Sequence, residues 1–297
     1  MSLPCNHFII ATLEEIHGLY TAGISPRYNE REHHRHWKRN GSIPNTRTRS
    51  ARYCHAAALQ QQSRRAHRGW RQRESGIPTF REAQTGLWAQ FDPTQLVTPE
   101  AFRRDPKLVW QFYQSRRARL AGVQPNPGHY ALAKLEERYP DFSIITQNVD
   151  DLHERAGSTN VIRLHGRLSA NKCSAACRGE PTPVDHTDLE AQDPPLCPYC
   201  GASIRPDVVW FNEMLPAREI ALAEEICASA DVMLVIGTSG MVRPASLLPG
   251  IARRAGAKII EINPQASEIT RIAHVHIAGP SGEVLPALLA LLESMPS

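Results

Sequence analysis

Four short apolar runs, each closing on polar residues, constrain this 297-residue chain more than any other feature. They are Phe142-Ser143-Ile144-Ile145-Thr146, Val161-Ile162-Arg163-Leu164, the stretch from Asp231 to Ile236, and Ala257 to Ile262. Runs of this length that lack alternation read as strands buried on both faces, the signature of a parallel sheet. Helix-like segments separate or flank them at 106–121, 128–138, 217–229, 246–255 and 283–293. Strands alternating with helices predict an α/β fold: a Rossmann-like, doubly wound parallel sheet. In such sheets ligands bind beyond the carboxyl ends of the strands, and the polar residues of this chain cluster there.

Residues 168–210 break the alternation. They are rich in Pro, Asp and Cys, and short of periodic apolar residues. Cys173-x3-Cys177, nineteen residues and Cys197-x2-Cys200-Gly201 give two close thiol pairs. Four thiolates around one ion satisfy tetrahedral zinc and leave no position for water, so a small inserted module held by structural zinc is expected. Cys5, Cys54 and Cys227 have no such neighbours.

Charge divides the chain in another way. Residues 1–73 carry one Lys and twelve Arg against four Glu, or +9, so the remainder is 4 − 9 = −5. A uniformly basic nucleic-acid binder would not show this split, and nucleic acid is not an expected partner. No apolar run is long enough for a bilayer and the start lacks a secretory layout, so a cytoplasmic protein without membrane contact is the expectation. Residues 1–73 read as an atypical basic extension, disordered or out of frame, and 74–297 as the catalytic body.

The chemistry lies at the strand ends. His165 follows an apolar run and precedes Gly166, which would let a substrate approach the backbone; a histidine there suits a general base near neutral pH. Gln147, Asn148 and Asp150 offer amide and carboxylate groups able to read a carboxamide or ribose, or else to cap the next helix. Gly237-Thr238-Ser239-Gly240 and Asn263-Pro264 follow the third and fourth runs, a common place for phosphate or ribose contacts.

These motifs, in this order, resemble the sirtuins, the NAD-dependent protein deacylases. The likeness runs from about Glu74 to Leu292 and includes Glu74-Ser75-Gly76-Ile77-Pro78-Thr79-Phe80-Arg81. It implies that His165 is the general base, and that Asn148 and Asp150 hold the nicotinamide carboxamide with Gln147 on its ribose. Gly76, Pro78, Phe80 and Arg81 would line the cofactor pocket. Gly237, Thr238, Ser239, Asn263, Pro264 and Ser281 would hold the adenosine half. Val208-Val209-Trp210-Phe211 resembles a strand that pairs with the substrate backbone. Tyr113-x-x-Arg116 is similar to the class III signature, in which phenol and guanidinium bind the distal carboxylate of a succinyl or malonyl group. The implied reaction removes succinyl, malonyl or acetyl groups from protein lysines, consumes NAD, and yields nicotinamide and O-acyl-ADP-ribose.

The sequence departs from that pattern in four places. Val97 stands where a small Ala is usual, Asn212 where Gly is usual, and the first cysteine pair is one residue wider. The fourth departure is larger. The glycine loop expected before Glu74 is replaced by Arg64-Arg65-Ala66-His67-Arg68-Gly69-Trp70-Arg71-Gln72-Arg73. With suitable synonymous codons these residues, shifted by one base, read Val-Val-Leu-Thr-Gly-Ala-Gly-Val-Ser, which is the missing strand and loop. Taken as written, the chain could instead be a catalytically impaired acyl-peptide-binding module.

Overall fold

The computed structural model describes the backbone of residues 7–11 and residues 96–185 and 193–294 in full. Gly76, Pro78, Phe80, Arg81, the 64–73 segment, Cys5 and Cys54 lie outside the described residues, as does the question of a disordered arm.

Three helices begin alike. Thr98-Pro99 opens α1 (Pro99–Arg104), Asp105-Pro106 opens α2 (Pro106–Ala121), and Asn126-Pro127 opens α3 (Pro127–Arg138). In each, a side-chain oxygen accepts from an otherwise orphaned N–H and proline supplies a helical φ at the first position. The strands and remaining helices follow as β2 (Ser143–Thr146), α4 (Leu152–Arg155), β3 (Val161–Arg163), β4 (Gly166–Cys173), β5 (Ile204–Val208), α5 (Ala217–Ser229), β6 (Val232–Ile236), α6 (Leu248–Ala255), β7 (Lys258–Ile262), β8 (Val275–Ile277) and α7 (Ser281–Glu293).

The main sheet has the order β3-β2-β1-β6-β7-β8, where β1 is His7–Ala11. Its pairs β2–β3, β6–β7 and β7–β8 are parallel, as expected. β1 departs from that expectation, running antiparallel to both β2 and β6.

Side chains alternate across β6. Val232, Leu234 and Ile236 join Leu132, Leu135, Leu285 and Leu288 of α3 and α7. Met233 and Val235 join Ala223, Cys227, Leu248 and Ala252 of α5 and α6. All five β6 residues are buried, so each face of the sheet is covered by helices, which is why the run reads as continuous rather than alternating. β4 and β5 form a separate antiparallel pair. It packs with α1 and α2 through a third cluster of Phe102, Val109, Phe112, Tyr113, Leu168 and Trp210.

Candidate active site and metal centre

Four strand ends face one region. β2 delivers Gln147, Asn148 and Asp150, β3 delivers His165, β6 delivers Gly237–Ser239 and β7 delivers Asn263. His165 Nδ1 lies 2.9 Å from the Gln147 carbonyl oxygen. A carbonyl only accepts, so Nδ1 carries the proton and Nε2 keeps the lone pair. Burial holds this imidazole below its ordinary pKa, with the Gln147 bond acting in the opposite sense. The ring is therefore neutral at pH 7, the state a general base requires.

Gly166 acts differently from its expected role. Its φ is +78°, and a Cβ there would lie 2.1 Å from the Asp207 carbonyl oxygen. The close neighbour is strand β5, so this glycine permits the β4–β5 pairing rather than a substrate's approach.

Gln147 is buried, and its side-chain oxygen Oε1 has no hydrogen-bond partner among the described residues. A buried acceptor without a donor costs about 1–3 kcal/mol, and a ligand hydroxyl would satisfy it. The Asn148 N–H donates to Thr146 Oγ1 at 3.0 Å. Asp150 Oδ1 accepts from the Leu152 N–H at 3.2 Å, a local turn bond just ahead of α4, whose N-cap Asp151 makes no side-chain capping bond. Burial pushes the Asp150 carboxyl above the usual carboxylate range, against the pull of that N–H and of Arg163.

Arg163 carries more of this turn than the sequence indicates. Its guanidinium donates to the carbonyls of Asn148 at 3.4 Å and Asp150 at 2.5 Å. It also forms a bidentate pair with Glu154, through Nε at 2.9 Å and through Nη2. A charged residue inside the apolar run Val161-Ile162-Arg163-Leu164 was the available sign of a buried partner.

At the other end, Gly237 has φ +63° and donates to the Ile262 carbonyl at 3.0 Å. The Asn263 side-chain amide donates to the Thr238 carbonyl at 2.9 Å, joining the turns after β6 and β7. Thr238 Oγ1 and Ser239 Oγ accept from the N–H groups of Gly240 and Met241. Pro264 is exposed beside them. Ser281 begins α7, two residues after Gly279, whose N–H reaches the Asn263 carbonyl at 3.4 Å.

Tyr113 and Arg116 both lie on α2. The phenol is 3% exposed and its oxygen accepts from the Trp210 indole N–H at 2.8 Å. Burial raises its pKa to about 12. Burial lowers Arg116, while Tyr113 and Asp150 favour its charge, which places the guanidinium within electrostatic reach of the β2 turn. Val97 is buried in the same cluster.

The expected substrate strand 208–211 is shorter than the sequence reading. β5 ends at Val208. The N–H of Val209 is used by the His165 carbonyl and that of Phe211 by the Val97 carbonyl, both at 3.0 Å. The Trp210 N–H donates to Glu213 Oε2 at 2.8 Å. Three consecutive donors are thus satisfied within the chain, and Phe211 and Asn212 are exposed. Asn212 has φ +69°, which accounts for glycine as the usual residue there; Asn is among the few side chains that adopt this conformation readily.

The cysteine reading meets its geometry. Sγ atoms of Cys173, Cys177, Cys197 and Cys200 lie within 4.8 Å of one another, with Cys173–Cys200 at 3.5 Å and Cys177–Cys197 at 3.9 Å. A Zn–S bond of about 2.3 Å in a tetrahedron separates sulfurs by about 3.8 Å, so the four thiols can hold one zinc ion. Gly201, at φ +74°, makes the turn that brings Cys197 and Cys200 together. Cys227 is buried and its thiol is pushed up to about 12 by desolvation, which leaves it unreactive. Arg117, which sequence reasoning did not single out, pins β4 to α2 through the Leu168 and Ala170 carbonyls and Asn171 Oδ1.

Comparison with known proteins agrees with this geometry. The model of the Sir2 family matches residues 72–244. An NAD-dependent protein deacylase of Ralstonia nicotianae is 51% identical over 217 residues, covering 73% of this chain and 86% of that protein. NAD-dependent protein deacylase 1 of Pseudomonas aeruginosa is 51% identical over 221 residues, covering 73% and 88%. Among solved structures, a Sir2 homologue in complex with NAD superposes with TM-score 0.66 at 44% identity, covering 74% of this chain and 84% of that one. A Sir2 protein bound to acetylated peptide gives TM-score 0.61 at 30% identity, covering 68% and 84%.

Proposed function

The chain belongs to the Sir2 family, and from that membership and the geometry of its strand ends we propose that it is an NAD-dependent protein-lysine deacylase acting on succinyl, malonyl and acetyl groups. NAD, as co-substrate, supplies an anomeric carbon with nicotinamide as leaving group and ribose hydroxyls to receive the acyl group. In this reading His165 Nε2 takes the proton from the ribose hydroxyls. The Gln147 carbonyl holds the opposite ring nitrogen protonated and so fixes the tautomer. Asn148 and Asp150 hold the carboxamide, and Gln147 Oε1 accepts from the ribose. Gly237–Ser239, Asn263 and Ser281 take the adenosine half, with Gly76, Pro78, Phe80 and Arg81 closing the pocket. Tyr113 and Arg116 read an acyl carboxylate, and the segment from Val208 to Phe211 borders the acyl-lysine. The cysteine quartet holds a structural zinc that keeps β4 and β5 in register.

The observation that carries this reading is the His165–Gln147 bond beside a buried, unsatisfied Gln147 oxygen. Nicotinamide release from NAD with a succinyl-lysine peptide tests it. Multiple-turnover release that vanishes in His165→Ala, leaving at most one nicotinamide per chain, is expected; a wild-type chain that releases none overturns it.

We also propose that residues 74–297 form the catalytic domain, with the zinc module at about 168–210 inserted in it, and that the residues before Glu74 are out of frame. The family match starting at residue 72 supports the boundary. The antiparallel entry of His7–Ala11 between β2 and β6 fits a chain whose own parallel strand is missing from that slot. Sequencing the DNA across codons 64–73 tests the second point: codons that give no glycine loop in the shifted frame exclude it.

A further inference from the structure

We propose that Trp210 is a specificity-determining positioning residue: its indole N–H fixes Tyr113 as a hydrogen-bond donor toward an acidic acyl group. The inference rests on the reading of Tyr113 and Arg116 as the acyl-carboxylate site. A phenol can donate or accept, so by itself it discriminates poorly between a carboxylate and a neutral acyl end. Here the indole Nε1–H donates to the Tyr113 oxygen across 2.8 Å in a buried contact. With its in-plane lone pair occupied, the hydroxyl is left with its proton to offer, and a carboxylate is the acceptor that gains most from it.

The indole is itself held by its surroundings. The Arg205 guanidinium carbon lies 3.3 Å from the Trp210 ring centroid, and Arg205 forms a bidentate pair with Glu213. Glu213 Oε2 also accepts the Trp210 backbone N–H at 2.8 Å. A cation over the ring draws electron density from it, which makes the N–H a stronger donor. Phe102 packs against the indole, 5.3 Å between ring centroids. Trp210 thus acts through Tyr113 and does not itself touch the carboxylate.

The test compares kcat/KM for succinyl-lysine and acetyl-lysine peptides in the full chain, for wild type, Trp210→Phe, Tyr113→Phe and the double variant. Phe keeps an aromatic ring and removes the N–H together with the rest of the pyrrole ring. The ratio of two substrates and the Tyr113→Phe background separate the lost hydrogen bond from the lost volume. Trp210→Phe is expected to lower the succinyl-to-acetyl ratio by about tenfold, the worth of one charge-assisted hydrogen bond. In the Tyr113→Phe background the same change is expected to have no further effect on the ratio. An unchanged ratio, or an equal fall in both backgrounds, overturns the proposal. A wild type with no preference for succinyl overturns the carboxylate reading itself, and this proposal with it.

A second measurement needs neither turnover nor a Trp210 variant. In 15N-tryptophan-labelled protein, which carries five indoles, Tyr113→Phe is expected to move one indole N–H resonance upfield and speed its exchange with solvent. Five unmoved resonances sink the proposal.

Discussion

The 2.9 Å contact between His165 Nδ1 and the Gln147 carbonyl joins the ends of two adjacent parallel strands, β3 and β2. It fixes the imidazole tautomer by backbone geometry alone, so no side-chain substitution at 147 can remove it directly. Burial keeps the His165 pKa below its ordinary value. A general base works in its neutral form, so activity is lost as pH falls through that depressed pKa. The acid limb of kcat/KM for deacylation is therefore expected to have its midpoint below about 6.5, the free imidazole value. A midpoint above that value in a pH–rate profile contradicts the assignment.

Arg163 spans four acceptors on the loop and helix after β2. Arg163→Gln is expected to raise KM for NAD by about tenfold or more while the chain stays folded, because the 148–150 turn loses its clamp. Arg163→Lys is expected to rescue little, since an ammonium cannot reproduce the planar fork. Initial-rate kinetics with varied NAD separates the two, and a Lys variant equal to wild type argues that charge alone suffices.

Much of this architecture is legible in the sequence because its determinants are local. Pro106 after Asp105 and Pro127 after Asn126 mark helix starts, and the unbroken Val232–Ile236 run marks a doubly covered strand. The cysteine spacing implies a metal centre for the same reason. What sequence reasoning misses is non-local or too short to be periodic. β8 has three half-exposed residues and exists only through its pairing with β7. β4 and β5 pair although residues 174–203 lie between them, so nothing near Gly166 announces that its neighbour is Asp207. The hydrogen bonds that consume the N–H groups of Val209, Trp210 and Phe211 come from His165, Glu213 and Val97, two of them distant in the chain. The direction of β1 follows from no local signal at all.

Gly166 offers a direct check on that pairing. An alanine Cβ would sit 2.1 Å from the Asp207 carbonyl, in backbone rather than a flexible side chain, at a φ of +78°. Gly166→Ala is expected to destabilise the chain by at least about 2 kcal/mol, since strain and clash add. Urea denaturation reads this as a lower midpoint. An unchanged midpoint shows that the β4–β5 register differs from the one described.

The metal centre has two buried thiols, Cys173 and Cys197, and two exposed ones, Cys177 and Cys200. If all four bind one zinc ion, purified protein contains one zinc per chain, and Cys200→Ser loses it although the substitution is at the surface. The same variant is expected to lower the melting temperature, because Cys173, Cys197, Trp110, Val184 and Ile204 form a cluster too small to hold the module by packing alone. Elemental analysis that finds zinc retained in Cys200→Ser restricts the ligand set to fewer residues.

His129 sets a pH limit on stability. It is 3% exposed in the first turn of α3, where its Nδ1 accepts from the Asn126 N–H, and its ring centroid is 4.8 Å from that of His153. Burial lowers its pKa to about 4. The unfolded chain binds a proton at this residue below about 6.5, and the folded chain does so only below about 4. Folding is therefore favoured fully above pH 6.5, and the contribution is lost as pH falls from 6.5 towards 4. Integrated over that window the loss is about 3 kcal/mol. Protonation would also remove the acceptor that completes the α3 capping box. The slope of unfolding free energy against pH between 6.5 and 4.5 is expected to fall by about one proton in His129→Gln relative to wild type. Equal slopes in the two proteins would show that His129 titrates alike in the folded and unfolded chain.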